Sequence, residues 1–264
     1  MNAGAVNEQP GAAWRMLDPR STVAVAAPLL AAGLVGWYFT FRQANDMSGM
    51  VTGLGQVGTR MANDMAWPAF IVMWVAMMTA MMLPTIGPVV LAQRIAAGAV
   101  GSVGFVAGYL AVWFSVGLVP LVAFLGFRNP PMEAQTVQWL QIAGGAALVV
   151  AGAYQFTPWK SRCLRACRSP FGFVTARNAT GPGGSPRGGA LYGVYCVGSC
   201  WALMAVLVVV GLMNLVWMAA IALVFLAEKN WRHGASLTRM AGGAVAALGV
   251  AVLVMPSLLS TISR

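Results

Sequence analysis

The chain has 264 residues, of which 59% are hydrophobic and only 8% charged, and its formal net charge is +10. Soluble domains carry roughly 25% charged residues, so the few charged side chains here cannot coat a water-facing surface of this size. Apolar runs fill too much of the chain for a disordered or fibrous protein. The composition leaves an all-α protein, a polytopic bundle of transmembrane helices with almost no soluble domain.

Residues 1–21 are small and polar and read as a cytoplasmic N-terminal tail. The apolar run that follows begins too late for a cleaved signal peptide and has no clean small-x-small site. Residues 22–260 then form the transmembrane domain, with about seven spans. The first covers Val23–Phe41. The second covers Ala66–Leu91, with Pro84 and Pro88 near its end, and the third Ala97–Phe127. The fourth covers Val137–Phe156, the fifth Gly189–Leu212, the sixth Met213–Leu226 and the seventh Met240–Leu259. The runs are continuous rather than alternating, which selects helices over barrel strands. Only Met213 and Asn214 separate the fifth and sixth spans; a tight hairpin is expected there, and one long tilted helix is the alternative.

Basic residues set the orientation. With the N-terminus inside, the inner segments hold Arg15, Arg20, Arg94, Lys160, Arg162, Arg165, Arg168, Arg177, Arg187, Lys229, Arg232 and Arg239. The outer ones hold Arg42, Arg60, Arg128 and Arg264, a ratio of twelve to four. Merging the fifth and sixth spans would reduce it to nine against seven. The positive-inside rule therefore favours seven spans, with the N-terminus cytoplasmic and the C-terminus outside. The implied location is the cell membrane, multi-pass, of the bacterial inner-membrane type. Attraction of inner loops to anionic lipid accounts for the basic charge, so no nucleic acid is expected as a partner.

The chemistry-bearing residues are sulfur. Of 17 Met, five lie in the second span as Met73, Met77, Met78, Met81 and Met82. At 100° per residue, Met73, Met77 and Met81 fall within about 80° of one another, with Met78 and Met82 on the adjoining face, over roughly 13 Å of rise. Thioethers are soft ligands that suit Cu(I); the plainer reading is that Met fills gaps between helices. All four Cys fall in two C-x3-C pairs, Cys163/Cys167 and Cys196/Cys200. That spacing places both thiols of a pair on one helix face. Lys160, Arg162, Arg165 and Arg168 surround the first pair and are expected to favour thiolate. The second pair continues a stripe of Tyr192, Cys196, Cys200 and Met204. A structural disulfide is not expected facing a reducing cytoplasm. Zinc held by all four Cys ranks below copper, because Met surrounds the membrane-embedded pair. Small helix-contact residues are the plainer reading of Cys196 and Cys200. By depth, Cys196 and Cys200 can meet Met77 and Met81 near the inner half of the bundle.

Other groups are weaker candidates. Met47, Met50, Met61 and Met65, with Asp46 and Asp64, could collect a soft metal outside, or form an ordinary loop. Glu228 is the one acidic residue of the later spans, either functional or paired with an inner-loop Arg. His233 is expected in a solvated loop. No Walker loop, dinucleotide fingerprint or H-E-x-x-H motif occurs, and no nucleophile–base set supports a hydrolase. An enzyme is not indicated; a copper oxidoreductase stays open only in the face of a single His.

The stretches Trp74–Pro84, Tyr154–Lys160, Cys163–Pro170, Tyr195–Met204, Met213–Met218 and Glu228-Lys229, in that order, resemble the DUF2182 family of predicted metal-binding integral membrane proteins. The resemblance implies a membrane protein that handles a soft metal and carries no known reaction with it. It also implies a Cys where this chain has Ser199, a His where it has Tyr192, and a His-Trp pair near Ala176-Arg177-Asn178. Two function readings follow. In the first, Cu(I) is bound, transferred or delivered to a copper-dependent partner protein by Cys196, Cys200, Met77, Met81, Met78, Met82, Met204, Cys163 and Cys167, within the lipid bilayer. In the alternative, the chain is a non-catalytic membrane scaffold or subunit whose Met and Cys serve packing.

Overall fold

The computed structural model describes residues 19–46, 67–126, 134–176, 183–210, 214–255 and 258. Among them every regular element is helical. In chain order these are α1 (Pro19–Asp46), α2 (Trp67–Met82), a 3-10 turn (Leu83–Ile86), α3 (Gly87–Gly126), α4 (Ala134–Tyr154), α5 (Pro158–Arg168), α6 (Pro170–Ala176), α7 (Gly184–Val210), α8 (Leu215–Asn230) and α9 (Gly234–Val254). Four segments are long and apolar enough to cross a membrane: Pro19–Asn45, Ile71–Val122, Gly184–Val210 and Gly234–Val254. Large apolar side chains point outward from the helices, with Val100 87% and Val216 78% exposed. Such surfaces are costly in water and normal against lipid.

Two interruptions shape the region expected to hold the second and third spans. Pro84 lacks an N–H and cannot continue the α2 ladder, so the chain tightens into the 3-10 turn, where Thr85 Oγ1 donates to Met82 O at 2.8 Å. The second span is therefore not one continuous helix. The second interruption is Gly98, which adopts φ 70° and ψ −168° inside α3. Only glycine takes that conformation without strain, and it lies just inside the expected third span, which begins at Ala97. The boundary at Asn214 also holds: its side chain accepts from Trp217 N at 3.2 Å and caps α8 as a new helix. Residues 211–213, the N-terminal tail up to residue 18 and the outer loop with Met47, Met50, Met61 and Met65 lie outside the described residues.

Close contacts give the relative helix directions. Gly36 of α1 lies against Ala76 and Ala80, and Gly33 against Pro84, so α1 and α2 run antiparallel. In α4 and α9, Gly145 faces Leu253 and Gly152 faces Ala246, again antiparallel. In α3 and α7, Gly101 faces Ser185, Gly189 faces Phe105 and Gly193 faces Val112, so these two run parallel. A Cβ on Gly189 would sit 1.9 Å from Phe105 O, so here the backbones touch. Small residues at helix contacts allow such approach in membrane bundles. Lys229, near the end of α8, returns to Cys196 of α7, which closes these two helices into an antiparallel hairpin.

The segment between α4 and α7 is not an open loop. Thr157 caps α5, whose Arg162 and Arg165 face outward while Lys160, Leu164 and Cys167 are buried. This amphipathic helix lies against α7 and α8 and covers one end of the bundle.

Candidate metal centre

The Met run of α2 is core. Met73, Met77, Met78, Met81 and Met82 are all buried, as are Cys196, Cys200 and Met204 of α7, and all belong to one apolar cluster. The helix drawn around these residues is apolar nearly throughout, so burial of five thioethers needs no polar neighbour.

Cys196 is the most connected sulfur. It is fully buried at the centre of α7. Tyr109 of α3 places its hydroxyl 3.3 Å from Cys196 Sγ. From α8, Lys229 Nζ donates to the same sulfur at 3.1 Å and to Thr85 Oγ1 at 3.0 Å. Because Thr85 donates to Met82 O, one hydrogen-bonded chain runs from the end of the Met helix through Lys229 to Cys196. The parallel α3–α7 contact sets the height of Tyr109, and the α7–α8 hairpin sets that of Lys229. Cys200, one turn further, donates its thiol to Cys196 O at 2.9 Å, and Ser199 Oγ donates to the same carbonyl at 2.8 Å.

The other Cys pair arrives at the same stretch of α7. Cys163 of α5 packs on the backbone at Gly198, where a Cβ would come within 2.7 Å of its Sγ. Tyr154 secures this level by donating to Gly198 O at 2.7 Å. Cys167 is buried, and its carbonyl accepts from Tyr192 Oη at 3.2 Å. Thus the residue standing where the resemblance implies an imidazole holds the α5 backbone instead. A cavity of about 230 Å³ opens beside this level, lined by Thr85, Cys167, Tyr192 and Lys229 among others.

Basic neighbours do not dominate the first pair as the sequence reading expects. Burial pushes the Cys163 thiol up, and pushes Cys167 up to about 12. The charged heads of Arg162 and Arg165 lie on the exposed side of α5, where water screens them, while both sulfurs turn inward. Both thiols are therefore protonated at neutral pH.

Glu228 pairs with a Lys, not an Arg. Lys160 Nζ lies 3.0 Å from Glu228 Oε2 and 3.1 Å from Oε1, with both side chains buried, and it also donates to Gln155 Oε1. This ion pair bolts α5 to α8 beside Lys229. His233 occupies the position before α9, exposed, with its ring 5.4 Å from that of Trp231. Among the described residues no three His, Cys, Asp or Glu side chains are arranged to hold a metal ion.

Residues 71–252, 182 of the 264, match the family model described as PpoB2 copper chaperone. The chain belongs to this copper chaperone family. The matched region includes the Met helix, both Cys pairs, Lys160 and the Glu228-Lys229 pair. No curated protein and no solved structure matches the chain.

Sequence reasoning missed Tyr109, Thr85 and the role of Lys229. Tyr109 is one aromatic in an apolar run and gives no signal. Lys229 gives one: an ionisable residue at the end of a span is a functional candidate, which its weight as a topology charge hides.

Proposed function

We propose that this chain is a multi-pass membrane protein that binds Cu(I) through sulfur and passes it to a partner protein. Membership of a copper chaperone family supports a copper role. The observation that carries the site is the meeting of both C-x3-C pairs on one stretch of α7, between Tyr192 and Cys200.

In this reading Cys196 and Cys200 are the central ligands, and Met77 and Met81 complete the site, with Met78, Met82 and Met204 adjoining. Thiolate and thioether donors fit Cu(I), which prefers soft ligands. Among the described residues no three His, Cys, Asp or Glu groups gather, so this reading calls on thioethers, and the buried Met run shares one apolar cluster with Cys196 and Cys200. Cys163 and Cys167 form the second station, towards the cavity that Lys229 borders. Copper bound at Cys196 would take the sulfur that Lys229 Nζ now holds, leaving the ammonium on Thr85 Oγ1.

Seven crossings fit the helices. The segment Ile71–Val122 has 52 residues, roughly 78 Å if straight, more than twice a bilayer core of about 30 Å; the 3-10 turn and Gly98 provide the places to reverse. The antiparallel α1–α2, α4–α9 and α7–α8 pairs and the parallel α3–α7 pair agree with alternating passes. The excess of inner Lys and Arg supports a cytoplasmic N-terminus.

The test is Cu(I) titration of the purified full chain against a chromophoric chelator, under reducing conditions. Wild type should bind near-stoichiometric copper, and Cys196→Ser and Cys200→Ser should lose it. Unchanged affinity and stoichiometry in both variants sinks the site. No copper on the wild type leaves the scaffold reading.

A further inference from the structure

A second, larger cavity, with no sulfur in its lining, opens where the end of α4 and the start of α9 meet α5. It measures about 560 Å³, within the range of small-molecule sites. Its wall includes Lys160, Arg165, Arg168 and Arg239 and, among the described residues, no carboxylate. The nearest acid in the hydrogen-bonding network, Glu228, is consumed by Lys160. Arg168 is held by its donation to the carbonyls of Trp231 and Arg232. That leaves two exposed guanidiniums uncommitted. Arg165 uses only Nε, on Ser161 O, and Arg239 makes no hydrogen bond or ion pair to a described residue.

Other polar groups line the wall. The hydroxyls of Ser161 and Thr238 are committed to Pro158 O and Gly234 O at 2.8 and 2.9 Å. At the back, Gln155 has its Oε1 committed to Lys160, which forces the amide to present Nε2 elsewhere, and that buried nitrogen has no acceptor among the described residues. Two guanidiniums with uncommitted N–H groups and one buried amide nitrogen thus face the cavity, with no carboxylate beside them among the described residues. Phe156 and Leu164 add an apolar side, and the exposed indole of Trp159 stands on the same helix. Exposed aromatics beside basic residues at a helix end mark the membrane–water interface.

We propose that this cavity binds the phosphate headgroup of an anionic membrane lipid. Arg165 and Arg239 grip the phosphate from two sides, as guanidiniums bind such oxygens in pairs of hydrogen bonds. Phe156 and Leu164 meet the start of the acyl chains. The ligand bridges α4, α5 and α9 and so ties the cysteine-bearing α5 to the α4–α9 pair. The inference rests on the membrane reading and is independent of copper.

Native mass spectrometry of the full chain in detergent, supplied with phosphatidylglycerol or phosphatidylcholine, tests it. Wild type should retain phosphatidylglycerol in clear preference. Arg165→Gln/Arg239→Gln should weaken that retention by about thirtyfold, the factor that two cations near a lipid surface are worth, with helical circular dichroism unchanged. Arg165→Lys/Arg239→Lys keeps the charge and should keep most of the preference; it decides the matter if the Gln pair unfolds. Equal retention of the two lipids, or a Gln pair that retains phosphatidylglycerol like wild type, overturns the proposal. So does inorganic phosphate that protects the wild type from heat while no lipid is retained, since that marks a site for a soluble anion.

Discussion

The Lys160–Glu228 pair is the sharpest place to perturb the structure. Its charges lie 3.0 Å apart, with the side chains 0% and 2% exposed. At an effective dielectric near 20 their attraction is about 5 kcal/mol. Removing each ion from water opposes this by several kcal/mol, so the intact pair is close to balance. A lone ion is not. Glu228→Leu leaves the Lys160 ammonium buried without its counter-charge and should cost about 3–5 kcal/mol. Lys160→Met/Glu228→Leu removes both ions, and most of that loss should return. What does not return is the bond from Lys160 to Gln155, whose oxygen is left without that donor at about 1–3 kcal/mol. The assay is reversible unfolding in mixed micelles, followed by circular dichroism, for wild type, the two single variants and the double variant. Strong positive coupling between the sites is expected. A Glu228→Leu protein as stable as wild type, or a double variant that loses the sum of the single losses, would refute the argument. The pair also clamps α5 onto α8, so Glu228→Leu should expose Cys163 and Cys167 to modification.

Two other outcomes follow from the packing and the thiols. Gly189→Ala puts a Cβ 1.9 Å from Phe105 O and should destabilise by about 1–3 kcal/mol, whereas Gly243→Ala meets nothing within 4 Å and should stabilise by roughly 0.5–1 kcal/mol; equal melting temperatures for the two variants would contradict the close α3–α7 contact. In the metal-free reduced protein at pH 7, maleimide should label Cys163 slowly and spare the buried Cys167, Cys196 and Cys200. Because the Cys167 pKa is raised from 9.0 to about 12, its contribution to stability is intact below pH 9 and lost as pH rises towards 12; labelling of Cys167 at the rate of an exposed thiol at pH 7 would contradict its burial.

The alphabet of this chain was enough to call for helices long and apolar enough to cross a membrane. With so few charges, apolar helices in lipid are the one architecture that satisfies every backbone group within a segment. The boundary at Asn214 and the shared face of the Met run were legible because a capping residue and helical periodicity act within a turn or two of chain; the break at Gly98, inside the expected third span, was not. The separation of the two Cys pairs in sequence hid their meeting, because C-x3-C spacing orders thiols along one helix and says nothing of a second. Only the docking of α5 on α7 brings Cys163 to Gly198 and Cys167 to Tyr192. The thiol chemistry of that first pair also turned on tertiary burial: arginines adjacent in sequence point into water, while both sulfurs turn inward and are desolvated. Likewise Lys229 is a topology charge in the sequence and a donor to Cys196 and Thr85 in the fold. A buried ammonium has to find acceptors, and which ones it finds depends on the contact between helices that are distant in the chain.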